Sequence, residues 1–186
     1  MEDPSSQTLL LQFLLLVVLT FLNAFFSAAE MAMVSLNRAR VEQKAEEGDK
    51  KYIRLLQVLE NPNNFLSTIQ VGITLINILS GASFADTLGR VFSSLMGNSK
   101  TAHAIASFLA LALLTYVSIV FGELYPKRIA LNLKDDLAVR AAPFIIFLGK
   151  LVSPFVWLLS ASTNLLSRIT PMKFDDADEK MTRDEI

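Results

Sequence analysis

The stretch YVSIVFGELYPKRIAL, residues 116–131, carries an apolar run into a glutamate, and three residues after Glu123 comes Pro126. A carboxylate and a helix breaker stand where a membrane span would end. Upstream, residues 101–122 contain no charged side chain, taking His103 as neutral, and two further uncharged runs cover residues 8–29 and 61–85. At about 1.5 Å of rise per residue, each run is long enough for a helix to cross a hydrocarbon core of about 30 Å. The chain therefore reads as an all-α, polytopic membrane protein. A soluble domain with buried helices is the alternative that the length of these runs argues against.

The spans are placed at residues 8–36, 61–88 and 101–133. The first is not a signal peptide, because its flank MEDPSSQ is acidic and has no Lys or Arg. Between the first two spans, Val41, Ala45, Ile53, Leu56, Val58 and Leu59 sit among dense charge. They predict short amphipathic helices near the membrane surface, broken at Gly48-Asp49. Asn61-Pro62 reads as a helix start. Asp86 falls at the far interface, and residues 89–100 read as a loop. A fourth apolar region, residues 141–167, carries Lys150, Pro143 and Pro154. A lysine at the bilayer centre is costly, so this region reads as a bent juxtamembrane or re-entrant segment.

Six basic residues (Arg38, Arg40, Lys44, Lys50, Lys51, Arg54) lie between spans one and two, and Lys127, Arg128, Lys134 and Arg140 follow Glu123. The positive-inside rule places these segments in the cytoplasm and the N-terminus outside. Residues 1–170 form the membrane domain. Residues 171–186 read as the start of a cytoplasmic linker to a soluble region not present in the chain. There is no cysteine, hence no disulfide or thiolate metal site. No basic patch with interleaved aromatics points to nucleic acid, and nothing points to an enzyme.

Polar residues recur at helical spacing inside the spans: Thr20, Asn23, Ser27 and Glu30; Ser67, Gln70, Thr74, Asn77 and Gly81; Thr115, Ser118 and Gly122, with Glu123 adjacent. Each set shares a helix face. Lipid penalises such stripes, so they are expected to face a common interior, either as interhelical hydrogen-bonding glue or as a site. Ala24, Ala28 and Ala32 make a separate small-residue ridge, for packing or for a dimer face. Pro126 lacks an N–H and displaces the carbonyl four residues earlier, which belongs to Gly122. A bared carbonyl beside a carboxylate, with hydroxyls and amides on the other stripes, is the oxygen-donor set of a hard cation such as Mg²⁺, Ca²⁺ or Na⁺. The competing reading makes Pro126 a simple terminator, with Glu123 paired to Lys127.

NAFFSAAEMA (23–32), STIQVGITLINILSG (67–81) and FGELYPKRIAL (121–131) resemble the membrane domain of the CorC family, bacterial and archaeal relatives of the cyclin M (CNNM) magnesium transporters. The resemblance implies three spans and a juxtamembrane helix, a homodimer in a cell membrane, a following CBS-domain pair, and Mg²⁺ efflux coupled to Na⁺ influx. By motif match it places the ion at Ser27, Asn77, Gly122 and Glu123. Thr74, on the stripe of Asn77, is included with them. Glu30 is a further carboxylate near the site, or a counter-charge for a cytoplasmic-side arginine. Two alternatives remain: a dimeric anchor or Mg²⁺ sensor regulating another transporter, and a pore-forming haemolysin, which has no need of a buried carboxylate.

Overall fold

The computed structural model describes residues 6–96 and 100–169, and among these every regular element is helical. The expected tail, 171–186, lies outside the described residues, as does the side chain of Asp86. Helix α1 covers Ser6–Val34, α2 Arg38–Glu46, α3 Lys50–Leu59 and α4 Pro62–Met96. Helix α5, Lys100–Ile119, passes through a π-helical turn, Val120–Leu124, into α6, Tyr125–Asn132; α7 covers Lys134–Ile169. By length and composition, four described stretches suffice to cross a membrane: Leu10–Val34, Pro62–Phe84, Lys100–Asn132 and Lys134–Thr163. The polytopic, all-α reading stands. The expected count was three, and the fourth stretch is one helix that continues through Pro143 and Pro154.

The small helices follow local chemistry. Asn37 caps α2 by accepting from the Arg40 N–H, and Asp49 caps α3 by accepting from the Lys51 N–H. Between them Gly48 adopts φ 87°, a left-handed conformation that glycine takes without steric cost. Val41 and Val58 are buried as their spacing predicts, but Ile53 is exposed and Leu55 is fully buried in its place. Helix α4 begins at Pro62, as expected.

The expected loop over residues 89–100 is a correction. Helix α4 continues to Met96, and residues 97–99 lie outside the described part. Gly89, the first residue of that stretch, is buried at a helix contact: a Cβ there would stand 2.7 Å from Ser107 Oγ and 3.3 Å from Ser107 Cα. Close packing on α5, allowed by the missing side chain, sustains the helix.

Helix α1 is central. It packs against α4, against the π turn and α6, and against α7. Phe25, Phe26 and Phe144 form an aromatic cluster with ring centroids 5.4–5.8 Å apart, joining α1 to α7. Lys134 Nζ donates to the Ser35 carbonyl at 3.0 Å, so α7 starts where α1 ends. Further along, Lys150, Ser153 and Trp157 line a cleft with Gln57, Asn61 and Asn64. The middle of α7 thus lies beside the first turn of α4.

Candidate cation site

The site begins with the distortion at Gly122. The Tyr125 N–H donates to the Val120 carbonyl, five residues back instead of four. Pro126 explains this. It offers no N–H to Gly122, and its ring would strike that carbonyl; widening the turn by one residue relieves the clash. Gly122 is buried, and its bare Cα lies against α1: a Cβ there would stand 2.7 Å from Asn23 Nδ2 and 3.4 Å from Asn23 Cβ and Cγ.

Asn23 is 2% exposed and Ser27, one turn further along α1, is 0% exposed. Asn23 Nδ2 donates to Asn77 Oδ1 across a long 3.4 Å. Asn23 Oδ1 and Ser27 Oγ are buried without a hydrogen-bond partner. An unpaired buried oxygen carries the full desolvation penalty, about 1–3 kcal/mol, so two neighbouring ones favour a ligand that supplies positive charge. Beside them is a cleft of about 280 Å³, lined by Asn23, Asn77, Ser80, Gly81, Thr115, Ser118 and Glu123, with Leu111, Leu114 and Ile119. The Thr115 hydroxyl donates its proton to the Leu111 carbonyl at 2.8 Å, which turns its lone pairs outward from its own helix.

Of the residues expected at the site, Asn77 and Glu123 line this cleft and Gly122 abuts it through Asn23, while Ser27 is buried on α1 one turn from Asn23 and does not line it. Thr74 stands apart. It lines a different cleft with Glu30, Ser67 and Gln70. Thr74 and Asn77 are about one turn apart on α4, and the stripe divides along the length of the helix: residues 67, 70 and 74 border one cleft, and residues 77 and 81 the other. Asn23 is the central residue that the expected ligand set omitted. It stands on the α1 stripe, but only its contact with Gly122 singles it out.

The alternative pairing is also present: Lys127 Nζ lies 3.0 Å from Glu123 Oε1. The same ammonium lies 3.2 Å from Glu30 Oε2, so the counter-charge of Glu30 is a lysine, not the expected arginine. Among the described residues no three His, Cys, Asp or Glu side chains gather. The cleft is therefore one carboxylate among neutral oxygens.

The model of the cyclin M transmembrane N-terminal domain matches residues 14–186. The chain belongs to the cyclin M (CorC/CNNM) family. Curated relatives in the family include UPF0053 protein sll0260 of Synechocystis, 37% identical over 97% of this chain and 41% of the relative. UPF0053 inner membrane protein YfjD of Escherichia coli is 33% identical over 83% of this chain and 34% of the relative. A polyamine export protein of Haemophilus influenzae is 26% identical over 84% of this chain and 37% of the relative. The chain thus spans 34–41% of the length of these relatives.

Proposed function

We propose that this membrane domain moves Mg²⁺, outward and in exchange for Na⁺, through the cleft between α1, α4 and α5. The observation that carries the reading is the pair of unpartnered buried oxygens, Asn23 Oδ1 and Ser27 Oγ, on the helix whose Asn23 lines a cleft with Asn77 and Glu123. Amide, hydroxyl and carboxylate oxygens suit a hard cation. In this reading Asn23, Asn77 and Glu123 take the ion from the cleft side, Ser27 supports Asn23, and the π turn presents the Gly122 carbonyl.

The working unit is a homodimer in the cell membrane, with the N-terminus outside and α2 and α3 at the cytoplasmic face. Three helical rods cross, and α7 lies obliquely in the cytoplasmic half. Its course supports this. From Lys134 to Trp157 a helix advances about 35 Å, enough to reach the opposite face. Yet Lys134 meets Ser35 at the end of α1, and Trp157 shares a cleft with Gln57 and Asn61 at the start of α4. An oblique course also keeps exposed Lys150 near the interface, where its ammonium reaches water.

The test is Mg²⁺ efflux from proteoliposomes with a Na⁺ gradient imposed. Wild-type flux is expected to depend on Na⁺, and Glu123→Ala to abolish it. Undiminished flux in the variant would sink the assignment. If purified protein binds Mg²⁺ but moves none, the second reading, a dimeric anchor that senses Mg²⁺ for another transporter, replaces the first.

A further inference from the structure

Glu30 takes no part in the first cleft, yet it is tied to it through one lysine. Lys127 Nζ lies 3.2 Å from Glu30 Oε2 and 3.0 Å from Glu123 Oε1. Two carboxylates and one ammonium leave one unbalanced negative charge. All three groups lie in stretches long and apolar enough to span a membrane, where uncompensated charge is expensive. Glu30 also lines a cleft of about 620 Å³ with Ser67, Gln70 and Thr74 of α4, whose remaining walls are apolar side chains of α4 and α7. These three are spaced by three and four residues, so one face of α4 presents a hydroxyl, an amide and a second hydroxyl to the Glu30 side. Donor oxygens with a single carboxylate match a cation of one charge.

We propose that the Glu30 cleft is a second cation subsite for a monovalent cation, an alkali-metal ion or a primary ammonium, and that it opposes the first cleft because both draw on Lys127. The inference rests on the reading of the first cleft as a divalent-cation site. A monovalent cation at Glu30 releases Lys127 wholly to Glu123, where the ammonium covers the carboxylate that a divalent ion needs. A divalent ion at Glu123 drives the ammonium back onto Glu30 and closes the second subsite. The lysine acts as a tethered cation, and each site's occupant displaces it toward the other. Such coupling is reciprocal by thermodynamic necessity.

The experiment uses the chain in detergent micelles at constant ionic strength, in sodium, methylammonium or choline chloride. First, melting temperature is followed against each salt, since a ligand that binds only the folded state raises it. Sodium or methylammonium is expected to stabilise, and the one that does identifies the ligand; bulky choline does not. Glu30→Gln and Thr74→Val should remove the stabilisation, and Glu123→Gln should keep it. Glu30→Gln leaves the Lys127–Glu123 pair intact, and Thr74→Val leaves every charge in place, so at least one variant is expected to fold. Second, the apparent Mg²⁺ dissociation constant is measured by calorimetry in each salt. The active salt should raise it several-fold in the wild type, by less than twofold in Glu30→Gln, and not at all in Lys127→Met. Equal stabilisation of wild type and Glu30→Gln overturns the subsite. Full competition persisting in Glu30→Gln or Lys127→Met overturns the coupling. If the wild type binds no Mg²⁺, the first-cleft reading fails, while the melting series still decides the second subsite.

Discussion

Adding one methyl group at Gly122 separates folding from transport. An alanine Cβ would stand 2.7 Å from Asn23 Nδ2, where ordinary contact begins at 3.4 Å, so the amide must retreat by roughly 0.7 Å. Asn23 has little room, because its Cβ and Cγ already lie at 3.4 Å from the same point and its side chain is buried. Overpacking costs about 1–3 kcal/mol, and the better helix propensity of alanine returns about 1 kcal/mol. The net loss is about 0–2 kcal/mol, and at about 2–4 °C per kcal/mol for a chain of this size the melting temperature falls by at most about 8 °C. Flux is more sensitive, since a misplacement of about 1 Å at a reacting group costs on the order of 100-fold; a fall of about 10- to 100-fold is expected. The assay is Mg²⁺ flux in proteoliposomes beside a circular-dichroism melt. Gly81→Ala is the control: Gly81 lines the same cleft, but a Cβ there meets nothing within 4 Å. Wild-type flux in folded Gly122→Ala, or an equal loss in Gly81→Ala, would refute the reasoning.

Pro126→Ala restores a donor to the Gly122 carbonyl and removes the cause of the π turn. The variant should melt no lower than wild type yet lose at least about 10-fold in flux, taking the same displacement cost as above. Gly89→Ala pushes against the Ser107 backbone and should lower the melting temperature by an overpacking cost of about 1–3 kcal/mol, with the Mg²⁺ dissociation constant of the folded fraction unchanged in calorimetry. Asp135→Asn breaks the 2.9 Å ion pair with Arg40, whose side chain is 59% exposed; exposed pairs contribute about 0.2–1 kcal/mol, so a denaturant or thermal melt should barely move.

The residues that sequence reading placed well share one trait: their role follows from chain-local chemistry. Uncharged runs specify helices that lipid accepts, Asn61-Pro62 starts α4, and Pro126 acts on the residue four before it. Positions that depend on a neighbour's approach were read less well. Leu55 is buried while Ile53 is exposed, on a helix that packs on α2 and α7 and more lightly on α4. Residues 89–96 continue α4 instead of forming a loop, with Gly89 packed on α5. Asn23 was one polar residue on a stripe until the Gly122 backbone was seen against it.

Composition and spacing alone determined that the chain is helical, that it belongs in a membrane, and that Pro126 perturbs the turn holding Gly122. These follow because the cost of charge in lipid and the missing proline N–H are properties of the chain, whatever it packs against. Only the tertiary structure decided which face each stripe presents. Neighbouring helices divide the α4 stripe along its length, so Asn77 borders the cleft of Asn23 and Glu123 while Thr74 borders that of Glu30. It also decided that Lys127 stands between both carboxylates, since α1 and α6 must pack together before Glu30 and Glu123 share an ammonium.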